Sequence, residues 1–111
     1  MTTPLTARQL THPAILRAQE VHNEREEGGA LRDLTDAETV FLAAVHIAGM
    51  RCVQTIGHAV RQWGDRSEAY WCVVRLARAQ EADDLSLALE IFENSVEAAD
   101  EALEIEMMAA E

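Results

Sequence analysis

The chain has 111 residues and a formal net charge of -11, with 20 Asp and Glu residues against nine arginines and no lysine. This length fits one domain, and the negative charge argues against nucleic acid and anionic membranes as direct partners, since both would repel the protein at long range. Abundant alanine, two prolines and five aromatic residues favour an all-α fold.

The first predicted helix begins at a proline. Pro13 disfavours helical geometry for His12 and itself suits the first position of a helix. Gly28-Gly29 then ends this helix after Glu27. We therefore expect residues 1–12 to form an N-terminal arm, and residues 13–111 to form a single helical bundle domain.

The second predicted helix is long and apolar. Thr35-Asp36-Ala37-Glu38 has the capping-box pattern, and Gly64 is a typical helix stop, which predicts a helix from Asp36 to Trp63. Residues at alternating spacings of four and three predict its core ridge, which consists of Phe41, Val45, Ala48, Cys52, Ile56, Ala59 and Trp63. The longest uncharged run, residues 39–50, is shorter than the roughly 20 residues of a membrane span, so we expect a core helix.

The remaining helices are predicted to follow a tight turn. Asp65-Arg66-Ser67-Glu68 repeats the capping pattern and starts a third helix. Asp83 or Asp84 could cap a fourth helix that runs to about Ala109, or one helix could run through from residue 66; of the two we expect a break or kink near residues 81–84. The predicted architecture is a compact bundle of three to four helices, with a long central helix and a long acidic C-terminal helix.

The negative charge is concentrated at the end of the chain. Residues 79–111 contain eleven acidic residues and no basic residue. At 100° per residue, six of these carboxylates share an arc about 100° wide and about 21 Å long on the last helix. We call them the acidic crest; its members are Glu90, Glu93, Glu97, Asp100, Glu101 and Glu104.

Two apolar ridges flank the acidic crest. The first has heptad-like spacing, is expected to pack on the central helix, and consists of Leu85, Leu89, Phe92, Val96, Ala99, Leu103 and Met107. The second lies on the other side of the crest and is a candidate dimer ridge, consisting of Leu87, Ile91, Ala98, Ala102 and Ile105. A homodimer or another helix would be needed to cover the second ridge.

The acidic crest has a charge about every 4 Å, close to the 3.4 Å spacing of phosphates along one DNA strand. In size and charge the chain is similar to small acidic phage and plasmid proteins that disable restriction or CRISPR complexes by acting as DNA mimics. That resemblance implies a non-enzymatic inhibitor that covers the basic surface of a nucleic-acid-handling protein. Two alternatives stay open: a dimeric adaptor or assembly protein that binds through the apolar ridge, and a solvated crest that Arg51, Arg61, Arg75 and Arg78 partly neutralise.

The sequence offers little for catalysis, and we expect no catalytic residue, cofactor or metal. Carboxylate pairs at Glu24/Glu27, Glu90/Glu93 and Glu97/Asp100 have the spacing that all-α pyrophosphohydrolases use for Mg²⁺, which leaves such an enzyme as a remote alternative. His46, Cys52 and His58 are spread around their helix and cannot share one ion. Cys52 and Cys72 are expected to be buried thiols, and the absence of a visible export signal favours a cytoplasmic protein.

Overall fold

The computed structural model of the protein describes residues 7–27 and 35–109. Within these ranges the chain forms four helices and no strand: α1 (Ala7–Leu10), α2 (Pro13–Glu27), α3 (Thr35–Trp63) and α4 (Glu68–Ala109). The all-α fold predicted from composition is confirmed. The single turn α1 lies within the predicted arm, and residues 1–6 of that arm are outside the described residues.

Helices α3 and α4 form an antiparallel hairpin, and its core follows the predicted ridge of α3. Phe41, Val45, Ala48, Cys52 and Ala59 are all buried. The ring of Phe41 packs against that of Phe92 with 5.3 Å between centroids. Two members of the predicted ridge are not buried: Ile56 is half-buried, and 44% of the surface of Trp63 stays exposed at the end of the hairpin.

The turn of the hairpin has the predicted glycine stop, but α4 begins at Glu68 and is capped by Ser67, whereas the predicted capping pattern placed the cap at Asp65. Gly64 has a φ of +74°, a left-handed conformation that favours glycine, and its amide donates to the carbonyl of Val60 at 2.9 Å. The Ser67 hydroxyl oxygen accepts a hydrogen bond from the Tyr70 amide at 3.1 Å, which caps the start of α4. Only four residues, 64–67, therefore separate the two long helices.

The predicted break near residues 81–84 is wrong, because α4 is one helix of 42 residues. Glu81 and Leu85 lie on the inner face of α4 and are 4% and 2% exposed, so tertiary packing holds this segment in the helix. The Asp84 carboxylate accepts a hydrogen bond from the Gln80 side chain, four residues earlier, instead of capping a new helix. The aspartates thus sit on the helix surface.

Helix α2 packs beside α4 near the open end of the hairpin. Arg17 reaches Glu93 and Arg25 reaches Asp100, so the two helices run in the same direction. Ala14, Ile15 and Val21 of α2 are buried and join the core cluster. We call the half of the hairpin nearest the turn, residues 49–80, the tip half; at its boundary, Gly49 of α3 lies beside Gln9 of α1.

The molecule is more elongated than the compact bundle expected from the sequence. Its principal extents are 67 × 23 × 20 Å and its radius of gyration is 18.1 Å, against about 13 Å for a compact domain of this length. Helix α4 has 13 more residues than α3, so its C-terminal end projects past the start of α3 by roughly 20 Å. Residues 101–109 are all exposed.

Helix α3 is long and apolar enough to cross a membrane by length and composition alone. The window within Asp36–Trp63 has a mean hydropathy of 1.4, and only 22% of it is buried inside the protein. One such helix is weak support for a membrane span, because core helices of soluble proteins pass the same test. Here the ridge that includes Phe41 and Val45 packs on α4.

Candidate interaction surface

The acidic crest lies on the face of α4 that points away from α3. The buried residues Leu85, Ala88 and Phe92 define the inner face of α4, and the crest is centred on the opposite side of the helix. Asp100 is half-buried, whereas the other five carboxylates of the crest are exposed. The crest therefore lies on the solvent side of α4. The first apolar ridge packs inward only in part, since Phe92 is buried but Leu103 and Met107, beyond the start of α3, are 45% and 64% exposed.

Two arginines of α2 neutralise part of the crest. Arg17 Nε lies 3.4 Å from Glu93 Oε1, and both guanidinium nitrogens of Arg25 bind the Asp100 carboxylate, with Nη1 2.7 Å from Oδ1. Hydrogen bonding to Arg25 lowers the pKa of Asp100. The pair therefore stabilises the fold fully at a pH above the usual pKa of aspartate, and this stabilisation is lost as the pH falls through the lowered pKa of Asp100. These two contacts fix α2 against α4.

The arginines considered for this role from the sequence lie elsewhere. Arg51, Arg61, Arg75 and Arg78 are exposed in the tip half of the hairpin, and none forms an ion pair with the crest in the part of the chain that the structure describes. The prediction that they neutralise the crest is wrong, because the crest begins at Glu90, near the open end of the hairpin. The sequence-based analysis missed Arg17 and Arg25, since nothing in the sequence specifies the helix beside which α2 lies.

Helix α2 also widens the acidic surface. Arg17 lies 3.0 Å from Glu20 and 4.0 Å from Glu24, while also contacting Glu93. Hydrogen bonding to Glu20, followed by that to Glu93 and the nearby charge of Glu24, raises the pKa of Arg17. The crest and the two α2 carboxylates together form one surface of eight acids, within which lie Arg17 and Arg25.

Four carboxylates of the crest have no positive neighbour. No arginine or histidine among residues 9–27 and 36–109, the side chains that the structure describes, lies within 4.0 Å of Glu90, Glu97, Glu101 or Glu104. The last two lie near the C-terminal end of α4, where the helix dipole disfavours negative charge. Their arrangement therefore does not stabilise the helix that carries them.

A second surface, apolar, lies in the groove between α3 and α4 on the side away from α2. Leu87 and Ile91 of the candidate dimer ridge are 55% and 49% exposed, and they face Val40 and Ile47 of α3, which are 59% and 49% exposed. The groove floor is built of small residues, Ala37, Ala44, Ala48 and Ala88. The structure thus extends the candidate ridge onto α3.

The rest of the candidate dimer ridge continues along the projecting end of α4. Ala98, Ala102 and Ile105 are all exposed, the last at 67%. These residues lie on the part of α4 that projects past the start of α3 at Thr35. Helix α3 therefore does not reach them. The ridge is therefore a groove in its first half and a single helix face in its second.

The tip of the hairpin carries exposed aromatic rings. Trp63 and Trp71 are 44% and 50% exposed, and the rings of Tyr70 and Trp71 meet edge to face with 5.1 Å between centroids. Cys72, expected to be buried, is exposed, whereas the Cys52 thiol is buried, and neither cysteine forms a disulfide. Cys72 is exposed because the residues that point at α3 from this turn of the helix are Val74 and Ala77.

A buried polar contact joins α1, α3 and α4. Gln9 is 3% exposed and its side-chain amide donates to the Val45 carbonyl at 3.3 Å. Gly49 leaves room for this amide, and the Glu81 carboxylate, 4% exposed, lies on the same side. The only hint of this contact in the sequence is an isolated glycine inside a helical pattern.

The described residues contain no group of three or more His, Cys, Asp and Glu side chains placed to hold a metal ion. In the carboxylate pairs considered for Mg²⁺, Glu93 and Asp100 are each engaged by an arginine. His46 and His58 lie on different sides of α3, as their spacing predicts.

Comparison with known proteins gives no assignment. No protein-family model matches the chain, and neither a curated protein nor a solved structure shows significant similarity to it. The function has to be inferred from the two surfaces described above.

Proposed function

We propose that this protein acts by binding, without catalysis, and that its acidic crest covers the basic nucleic-acid-binding surface of a partner protein. The observation that carries this proposal is the row of four carboxylates, Glu90, Glu97, Glu101 and Glu104, which have no cation near them in the described chain. A basic partner would supply the missing positive charge and would associate faster through long-range attraction.

Rigidity supports the same proposal. From Glu90 to Asp100 the crest lies on the part of α4 that α2 accompanies, and Arg17 and Arg25 bind α2 to it, so the carboxylates of this segment are held at set spacings. Preorganised charges lose less entropy on binding than charges on a disordered tail. A phosphate-like row on a fixed helix suits a groove that normally holds a nucleic-acid strand.

The proposal is tested with two triple variants of equal charge. The crest variant combines Glu97→Gln, Glu101→Gln and Glu104→Gln, and the control combines Asp65→Asn, Glu68→Gln and Asp83→Asn, which are exposed acids outside the crest. Each variant loses three negative charges. Partners are captured from a host lysate with wild-type protein at low salt, and their binding to labelled double-stranded DNA or RNA is measured with and without each variant.

Wild-type protein should displace the nucleic acid at stoichiometric concentrations and should lose this activity in 0.5 M salt. The crest variant should be weaker on the order of 10-fold or more, because it loses charges that contact the partner, while the control keeps wild-type potency. Equal potency of the two variants, or displacement that is indifferent to salt, would refute the proposal.

The second candidate is an adaptor or assembly protein that works through the apolar groove. It is favoured by the exposure of Leu87 and Ile91 beside two further apolar residues of α3, since a contiguous apolar patch marks an interaction site. In this case the crest only keeps the protein soluble. Both triple variants would then capture the same partners, and changes in the groove would release them.

A further inference from the structure

The exposed surface of the protein is too large for its mass. The chain of 12.3 kDa exposes 8062 Å², whereas a compact monomer of this mass exposes about 6,100 Å². The excess of about 2,000 Å² is more than the roughly 800 Å² that each partner contributes to a standard protein interface. The molecule as a whole therefore exposes enough surface to bury an interface of standard size.

The groove is shaped for another pair of helices. Val40 and Ile47 on one wall and Leu87 and Ile91 on the other expose about half of each side chain. The alanine floor between them allows a close approach of helix backbones. Shape and polarity together are those of one half of a helical interface.

Charge along the molecule specifies how a second copy would be oriented. The tip half, residues 49–80, contains five arginines and two acids, whereas residues 81–111 contain eleven acids and no basic residue. Arg51 lies at the tip end of the groove, and Glu101 lies beside the apolar face at the projecting end. Two copies side by side in the same direction would bring like charges together, and two copies in opposite directions would pair opposite charges.

We propose that the protein forms an antiparallel homodimer across this groove, with a two-fold axis level with Leu89 of α4. Arg51 of α3 lies at the same height along the hairpin as residue 81 of α4, which is eight residues from the axis at Leu89. The two-fold axis therefore places Arg51 opposite the height of Glu97, eight residues beyond the axis, in the second copy. The projecting apolar face, which includes Ala98 and Ile105, then lies over the tip half of the second copy. Only the edge of each acidic crest near Glu101 approaches the second copy, and the remaining crest carboxylates point away from the groove, so the oligomeric state is tested independently of any binding of the crest to a basic protein.

Oligomeric state is the first test. Sedimentation of the wild-type protein should give twice 12.3 kDa. The double variant Val40→Ser with Leu87→Ser should weaken the dimer on the order of 100-fold, because two interface side chains lose their burial. The matched control is Val53→Ser with Leu16→Ser, which are 66% and 54% exposed but lie away from the groove, and it should remain a dimer.

Orientation is the second test, and the chain supplies its own probe. Cys72 is exposed, so one nitroxide label can be placed there in a Cys52→Ala background. Cys72 lies 17 residues from the axis, so an antiparallel dimer should give a label-to-label distance of about 50 Å by electron paramagnetic resonance. A parallel dimer would bring the labels within the 23 Å width of the molecule.

Three results would overturn the proposal. The first is a wild-type protein that stays monomeric at 100 µM. The second is equal weakening of the dimer by the groove variant and by its control, each shown by circular dichroism to be folded. The third is a label-to-label distance of about 25 Å or less, which would contradict the antiparallel arrangement.

Discussion

Replacing Gly49 by alanine should change the stability of the protein in a direction that depends on Gln9. An alanine Cβ at position 49 would lie 2.7 Å from the Gln9 side-chain nitrogen and 3.7 Å from a Glu81 carboxylate oxygen. The first distance is too short for two heavy atoms that are not bonded. The Gln9 amide would have to move and would lose its hydrogen bond to the Val45 carbonyl.

Two effects of opposite sign set the magnitude. Alanine is a better helix former than glycine by about 1 kcal/mol, which favours the folded variant. Displacing a buried, hydrogen-bonded amide costs about 1–3 kcal/mol, and Gln9 is only 3% exposed. We expect Gly49→Ala alone to lower the free energy of unfolding by about 1 kcal/mol.

In a Gln9→Ala background the clash is absent, and the same change at Gly49 should raise the free energy of unfolding by about 1 kcal/mol. The double-mutant cycle should therefore give a coupling of about 2 kcal/mol. Urea unfolding followed by circular dichroism measures all four proteins, and equal slopes against urea would show that the unfolded states are comparable.

The reasoning is refuted if Gly49→Ala stabilises the wild-type protein as much as it stabilises the Gln9→Ala variant. Additive effects would mean that α1 does not dock against α3 in solution. A large destabilisation by Gly49→Ala in both the wild-type protein and the Gln9→Ala variant would indicate that the new Cβ clashes with Glu81 and not with Gln9. The Glu81 carboxylate is the other group near the new Cβ.

Three further predictions follow from single contacts. His22 Nδ1 lies 2.5 Å from Glu38 Oε1, and this hydrogen bond raises the pKa of His22. The contact stabilises the folded protein fully at a pH below the unfolded-state pKa of His22, and this stabilisation is lost as the pH rises through the folded-state pKa. The melting temperature of the wild-type protein should therefore fall between about pH 6 and 8, and that of the Glu38→Gln variant should fall less. Phe92→Ala should lower the free energy of unfolding by about 3–5 kcal/mol in urea titrations, because the 2% exposed ring packs on Phe41; a smaller loss than 1 kcal/mol would contradict this packing. Gly64→Ala should lower the melting temperature through about 1–2 kcal/mol of backbone strain alone, since nothing lies within 4 Å of the new Cβ, and an unchanged value would contradict the positive φ.

Helix ends were predictable because their signals are local. Pro13 fixes the start of α2 and Gly64 fixes the end of α3, each through the chemistry of one residue. The break at residues 81–84 was wrong for the opposite reason. Asp83 and Asp84 resemble a cap, but the burial of nearby residues in the hairpin outweighs that local preference.

The surfaces were predictable only as faces of single helices. Helical phasing placed the acidic crest and the ridge of Leu87 and Ile91 correctly around α4. It could not show that α2 carries arginines into the crest, or that Val40 faces the ridge across a groove. Those contacts join residues more than 45 positions apart, and sequence periodicity contains no information about such pairs.

The unsupported end of α4 makes the length of this helix sensitive to its ionic surroundings. Backbone hydrogen bonds in residues 101–109 have water on every side, and Glu101, Glu104 and Glu106 repel one another near the negative end of the helix dipole. Salt screens this repulsion, so the last turns should unravel at low ionic strength and re-form as it rises. The residue of α4 at which fast amide hydrogen exchange begins should therefore lie closer to the C-terminus as the salt concentration rises. The length of the ordered molecule would increase with it.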